Sequence, residues 1–427
     1  MKFIISIMTF MLLCGPRLNF PDLNLVFSLI LAFITPFFLF GTWKLRRDIV
    51  WYILLLFGLL FISIISVVAN DVRSLEPLDF FLKLIVSCLA AYSLVCLYKS
   101  FIKGEFHNKI AYNIQVSYII NAIFICCVMF IPGFGEFSST LLSQNDKMVA
   151  LASESVRAFD MTMGGGAVAS IVFSVVFVFS LSRFYFEKDI LSALSIAFSF
   201  MAMMFTGRTG LYLSLVAIVP VFIACNYLAT GRLNLFFVVF SVLRVTLVGV
   251  LIVAATLFSM SLITHELYEL VVVNNFSWAF EPIIGYFESG GISTESTDEL
   301  LDMYSGKHSG FLDVFSFFGN ALSGRDELFY LNTDIGYLRM LSMYGIFGAF
   351  LMFGQVLYFI YTSLSRIKFF VGERSSSPFV ISLLYYCFAI LIVNFKEYHL
   401  VVRSGFPLLL ILFFVVCYLP MNKDRLR

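Results

Sequence analysis

Apolar runs of about twenty residues, the length a helix needs to cross the hydrocarbon core of a bilayer, recur along this chain and are separated mostly by short loops. In hydrocarbon no water satisfies backbone polar groups, so a chain built this way folds as helices that close their own hydrogen bonds. The runs place spans at 22–42, 50–69, 78–98, 109–132, 165–182, 188–205, 209–228, 234–258, 335–362, 378–395 and 404–420, with a shorter one at 2–14. The short first run reads alternatively as a signal peptide, but no A-x-A site follows it, so it is expected to be retained. Of the 427 residues 60% are hydrophobic and 13% charged, against about 45–50% apolar in soluble domains. The expected fold is an all-α polytopic membrane protein of about 12 transmembrane helices, forming one transmembrane domain over 1–427.

Orientation follows from where Lys and Arg collect in short loops. With the N-terminus inside, the inner loops hold Lys44, Arg46 and Arg47; Lys99, Lys103 and Lys109; Arg183 and Lys188; Arg232; Arg366, Lys368 and Arg374; and a tail with Lys423, Arg425 and Arg427. The short outer loops hold only Arg17, Arg73, Arg208, Lys396 and Arg403. Both termini are therefore expected in the cytoplasm. Two long loops, at about 133–164 and 259–333, fall on the outer face, and loops of this length are usually functional or disordered. The second opens on "ITHELYELVVVNNFSWAFEPIIGYF", which reads as interfacial helices with Trp278 at headgroup depth. A net charge of +1 gives no basic face for nucleic acid. The eight cysteines lie in or beside apolar runs, and neither a disulfide framework nor a metal-ligating spacing is read from them.

Charge at membrane depth costs about 2.5–3.5 kcal/mol for Arg at a helix centre, so each such residue is a site candidate unless it snorkels. Several converge on the outer face. Arg208 sits in "FTGRTGLYLSL", where two helices meet in a tight glycine-flanked turn and the second helix offers free N–H groups to an anion; a snorkelling arginine is the plain alternative. Arg157 precedes three consecutive glycines at the start of another span, a backbone suited to phosphate or simply to close packing. Asp334 opens "TDIGYLRMLSMYGIFG", with Tyr337 one turn on and Arg339 deeper. Asn332, Thr333 and Asp334 are also good caps, but capping leaves Arg339 unexplained. Arg325 in "SGRDEL", and Lys396, His399 and Arg403 in "NFKEYHLVVRSGF", complete the outer cluster. Lys83 and Arg244 are the strongly charged residues inside other spans, and both are read as reaching the inner boundary. No GxxxxGK[ST] loop, G-x-S-x-G elbow or D-x-D pair occurs. Several arginines with one or two carboxylates suit a substrate that brings a diphosphate in the membrane plane.

In span count, in its two large outer loops, and in "RAFDMTMGGGA", "TGRTGLYLSL" and "NTDIGYLRMLSMYGIFG" at the openings of three helices, the chain resembles the O-antigen polymerase family. That family is related to O-antigen ligases and to membrane glycosyltransferases of GT-C type fold. The resemblance implies an enzyme of the bacterial inner membrane. It would join repeat units carried on undecaprenyl diphosphate at the periplasmic face, with inversion, without a metal or other cofactor, and with a chain-length-regulating co-polymerase as partner beside the membrane lipids. It implies that Arg157 and Arg208 hold the leaving diphosphate and that Asp334 accepts or orients the acceptor hydroxyl. Tyr337, Arg339, Arg325, Lys396, His399 and Arg403 would then contact substrate. Ligases carry a His where this chain has Asp334, which favours polymerase; a ligase, or a flippase of lipid-linked oligosaccharide, is the alternative.

Overall fold

The computed structural model describes residues 1–18, 22–39, 46–70, 74–102, 104–131, 133–142, 157–162, 166–234, 236, 238–244, 277–289, 316–322, 335–399 and 405–419. Within them the regular structure is helical, joined by turns and loops such as 157–162 and 316–322, with isolated bridges at Arg17–Asp22 and Leu18–Leu142. The helices are α1 (Lys2–Cys14), α2 (Leu23–Leu39), α3 (Arg47–Ala69), α4 (Glu76–Phe101), α5 (Phe106–Phe130), α6 (Phe134–Leu141), α7 (Ala167–Glu187), α8 (Ile190–Thr206), α9 (Arg208–Thr230), α10 (Ser277–Ser289), α11 (Gly336–Ile367), α12 (Ser377–Val393) and α13 (Phe406–Tyr418).

Six of these, α3, α4, α5, α7, α9 and α11, are long and apolar enough to cross a membrane; α1, α8, α12, α13 and the start of α2 are apolar but shorter. The chain is a multi-pass helical membrane protein. Most of the sequence-expected span at 234–258 lies outside the described residues.

Two buried helices organise the packing. Helix α7 lies against α5, α8, α9 and α12, while α4 packs on α2, α3 and α13. Every residue of α13 is buried; apart from the backbone and the Cys417 thiol, the polar group in it is the Tyr418 hydroxyl, which donates to Tyr92 Oη at 3.1 Å. Outward-facing positions carry large apolar side chains such as Phe33, Phe57, Phe61 and Phe350. In lipid these need no protein partner, which accounts for much of the phenylalanine richness.

Helix ends meet in two sets. At one end Arg17 N donates to Met161 O (3.1 Å), Ala158 N to Phe205 O (2.8 Å) and Tyr337 N to Asn394 O (3.2 Å). At the other Gly372 N donates to Leu228 O (2.6 Å) and Arg366 Nη1 to Val416 O and Cys417 O (2.7 and 2.9 Å). The first set gathers the sequence-expected outer loops and the second the inner ones. Lys83 corrects one expectation: it lies two turns into α4, exposed and paired with Asp79 at 2.5 Å, near the end that gathers the outer loops rather than at the inner boundary.

Helix α11 departs from the single span expected at 335–362. It breaks at Gly345, whose φ of 68° leaves the helical region, a conformation glycine adopts at little cost. Segment 316–322 fills the break. Ile346 N donates to Ser316 O (3.0 Å), Phe347 N to Phe317 O (3.3 Å) and Asn320 N to Ser342 O (2.6 Å), while Ser66 Oγ takes Met343 O (2.8 Å) and Asn70 Nδ2 takes Gly319 O (3.0 Å). The groups freed by the kink are thus bonded again, as a membrane interior requires.

Helices α7 and α9 approach closely. Gly210 N donates to Ser170 Oγ at 2.6 Å, and a Cβ on Gly210 would overlap the Ser170 carbonyl. In an isolated helix Gly→Ala gains about 1 kcal/mol. Here Gly210→Ala is expected to have the opposite sign and lower the melting temperature of detergent-purified protein, at a cost of about 1–3 kcal/mol for overpacking; an unchanged or raised melting temperature would show that α7 and α9 separate freely.

Candidate anion-binding site

The two glycine-flanked motifs come together because α7 and α9 start side by side. Gly207 is at once the last cap of α8 and the first of α9, and a Cβ on it would lie 2.6 Å from Gly166 O, at the cap of α7. Two helix N-termini therefore point the same way from adjacent positions. Each contributes a positive dipole end and first-turn amides, of which Gly210 N is already taken by Ser170 Oγ.

Arg157 is delivered by the short segment 157–162, which is fixed to the bundle. Ala158 N bonds Phe205 O (2.8 Å), and Ala158 and Phe159 are fully buried. Asp160, 2% exposed, accepts from Thr162 N (3.0 Å) and Thr162 Oγ1 (2.9 Å), and Met161 N donates to Asn121 Oδ1 (3.1 Å). A loop held at this many points presents its arginine in one place.

Arg208 opens α9. Its side chain, 11% exposed, forms an ion pair with Glu281, and its Nη1 lies 3.5 Å from Trp278 O. Both belong to α10, in the second long loop. The Trp278 ring lies under both cations: Arg157 Cζ is 4.2 Å and Arg208 Cζ 5.5 Å from its centroid. Tyr212, one turn along α9, donates to Ala279 O at 2.9 Å. Trp278 is therefore not simply an interfacial anchor, as its sequence context implies; it is the platform on which the two arginines converge. Burial first, and then the neighbouring Arg208 charge, lower the Arg157 pKa from the usual arginine value, partly offset by Glu397.

Glu397 belongs to the turn between α12 and α13, which meets the start of α11. Asn394 is its hub: its Oδ1 accepts from His399 N (3.2 Å), its Nδ2 donates to Ile390 O (2.7 Å) and its backbone O accepts from Tyr337 N (3.2 Å). Gly336 lies so close to Asn394 and Glu397 O that a side chain would overlap them. Tyr337 donates to Leu391 O (2.6 Å) and stacks between Phe353 and Phe395, at 4.6 and 4.7 Å. It ties α11 to α12. Arg339 lies over the Tyr398 ring at 5.2 Å, so the deep cation that capping leaves unexplained has an aromatic partner. Arg339 and Tyr398, with Met340, Met343 and Tyr344, line a narrow recess there.

Of the sequence-expected site residues, Arg157 and Arg208 converge on Trp278, while Tyr337, Arg339, Lys396 and His399 lie at the start of α11 and in the turn after α12, whose Glu397 charge acts on Arg157. Asp334, Arg325 and Arg403 lie outside the described residues. Two expectations change. The cap position of α11 falls on Ile335, which carries no side-chain cap, while the expected caps Asn332, Thr333 and Asp334 lie outside the described residues. His399, read as a substrate contact, is 1% exposed beside the Tyr386 ring (6.1 Å). Sequence reading missed Glu281, Tyr212, Asp160 and Asn394; Glu281 is the one acid in the aromatic stretch "FSWAFEPIIGYF", which was a usable signal.

Comparison with known proteins finds no matching family model and no significantly similar curated protein. Chemically, the arrangement is a candidate for holding an anion: two guanidiniums over one indole, two adjacent helix N-termini and the Glu281 carboxylate.

His399 sets a pH dependence. Neither ring nitrogen has a hydrogen-bond partner, and burial pushes its pKa down to about 3, against about 6.5 in an unfolded chain. Between those values the unfolded state binds the extra proton, so the stability contribution present above about pH 6.5 is lost as pH falls, by at most about 1.4 kcal/mol per unit. Melting of His399→Gln in detergent should fall less steeply than wild type between neutral pH and pH 4.5; parallel curves would contradict the neutral, buried state.

Proposed function

We propose that this chain is a membrane glycosyltransferase of the polysaccharide-polymerase type, acting at the periplasmic face of a bacterial inner membrane on glycans linked to undecaprenyl diphosphate. The observation that carries the reading is the convergence of Arg157 and Arg208 on Trp278, with Glu281 as the resident anion. Chemistry at a polyprenyl diphosphate needs such a site. The acceptor hydroxyl oxygen attacks the anomeric carbon of the growing chain while the bond from that carbon to the diphosphate oxygen breaks. Negative charge builds on the diphosphate, where the arginines stabilise it more strongly in the transition state than in the ground state. The hydroxyl proton goes to a carboxylate, for which Asp334 is the sequence candidate, and attack from the face opposite the leaving group inverts the anomeric centre.

Under this reading the diphosphate takes the place of the Glu281 carboxylate on Arg208. Arg339 and Lys396 extend the cationic surface along the turn beside it, where the glycan of donor or acceptor would lie.

Arg208→Ala is expected to abolish long-chain product while single repeat units persist, with loss of rate of about 10²- to 10³-fold, the scale for one donor to a developing anion. Chain-length profiles of the surface polysaccharide report this, and wild-type lengths would remove the clamp role. In a purified assay with a defined lipid-linked repeat unit, Asp334→Asn is expected to slow polymer formation by about 10²-fold or more, within the usual range for lost proton transfer. Full activity of that variant would return Asp334 to a structural role. Polymer formed by purified protein also separates a transferase from a flippase.

A further inference from the structure

Asp160 is a buried acid that the transfer chemistry leaves unused. It lies three residues after Arg157, in the segment that carries that arginine to the end of the bundle where α7 and α9 start. Withdrawing a carboxylate from water is costly unless hydrogen bonds take its lone pairs. Thr162 N donates to its Oδ1 at 3.0 Å, Thr162 Oγ1 lies 2.9 Å from both of its oxygens, and Asn121 Nδ2 of α5 lies 3.5 Å from its Oδ2. The carboxylate thus closes a turn on its own chain and leans on a neighbouring helix. Enclosed in this way, it does not reach a substrate.

It holds backbone instead. Asn121, itself buried, takes Met161 N on its side-chain oxygen (3.1 Å), and Met161 O accepts from Arg17 N (3.1 Å). Before the acid, Ala158 N bonds Phe205 O in the last turn of α8 (2.8 Å). Arg157 leaves this mount in a defined direction. Its Cζ lies 4.2 Å from the centroid of the Trp278 ring, and its Nη1 is 3.8 Å from where a Cβ on Gly166, the cap of α7, would stand. The rotamer freedom that a fixed arginine gives up is of the same order as what a cation–π contact returns. The ring alone therefore holds the guanidinium weakly, and a fixed backbone has to supply the rest.

We propose that Asp160 is a positioning residue for Arg157: through Thr162 and Asn121 it fixes segment 157–162 so that the guanidinium rests on the Trp278 ring beside the starts of α7 and α9. The placement stands on these contacts alone. Its consequence for rate rests on the proposed transfer reaction, in which Arg157 helps to hold the leaving diphosphate.

The test uses full-length protein in detergent. Of the three tryptophans, Trp43 and Trp51 are replaced by Phe, so that emission reports Trp278 and the cation on its face. Arg157→Gln in this background gives the emission of the ring without that cation. Asp160→Ala should shift emission toward the Arg157→Gln value, and Thr162→Val should do so in part. Asp160→Asn, which keeps an acceptor for Thr162 N, should restore most of the wild-type emission. The double variant of Asp160→Ala and Arg157→Gln should match Arg157→Gln alone, because the group to be positioned is gone. In the purified assay with a defined lipid-linked repeat unit, Asp160→Ala should lower kcat about 10- to 100-fold, the scale for a misplacement of about 1 Å. That loss should vanish in the Arg157→Gln background. Melting curves show which variants are folded, and Thr162→Val, which removes one hydroxyl and keeps the backbone amide, decides the matter if Asp160→Ala unfolds. Three results would overturn the proposal: equal emission of wild type and Arg157→Gln, wild-type emission in the folded Asp160 or Thr162 variant, or a loss of rate in the double variant that multiplies the loss in Arg157→Gln. Shifted emission together with no polymer from wild type would keep Asp160 as the positioning residue and remove the transferase reading.

Discussion

The contact of α7 with α9 is the constraint on which the described architecture turns. With no side chain at Gly207 or Gly210, the two backbones approach until an amide of one helix reaches a hydroxyl of the other. In lipid, where apolar side chains gain little by leaving their surroundings, such close backbone approach and the hydrogen bonds it permits are what hold helices together. The same approach places two helix starts side by side, so packing and the anion site share one cause. Substituting either glycine therefore strikes the fold and the chemistry together.

Farther along the same helices the principle recurs with polar side chains. Gln115 of α5 donates to Ser180 of α7 (3.2 Å) and Ser192 of α8 (2.9 Å), Ser180 donates to Ser195 (2.7 Å), and Arg183 returns a bond to Gln115 Oε1 (3.0 Å). Each such bond between membrane helices is worth about 0.6–2 kcal/mol. Their larger effect is on register: a one-residue slide of α7 would leave several buried polar groups unpaired.

Much of the helical layout was legible because hydrophobic length and loop charge are local signals. The glycines of "GRTG" and "MGGG" were each legible as backbone suited to an anion, but only folding shows Gly207 against Gly166. What escaped the sequence is what depends on long-range contact. Trp278 has the sequence context of an interfacial anchor, and its role as a platform arises only when α10 reaches back to α9. Glu281 sat in a stretch read for its aromatic, interfacial character rather than for its one acid. His399 looked accessible because its loop is short and charged, yet the Asn394 turn folds its ring inward. The break at Gly345 was masked by hydropathy, which counts apolar residues on both sides of a kink and cannot see segment 316–322 entering between them.

Glu281 carries a consequence for how ligands exchange. A cation that already holds a carboxylate offers an incoming anion only the difference between two ion pairs, so the gain is smaller than either pair considered alone. A singly charged ligand replaces the carboxylate almost one for one and gains little. A diphosphate brings more charge than it displaces, and also meets Arg157, which shares the indole with Arg208. Under the proposed reading, selection by charge number would thus arise from a residue that never touches the bound ligand. On that reading the pair with Glu281 would disfavour monoanions, because Arg208 already holds one carboxylate.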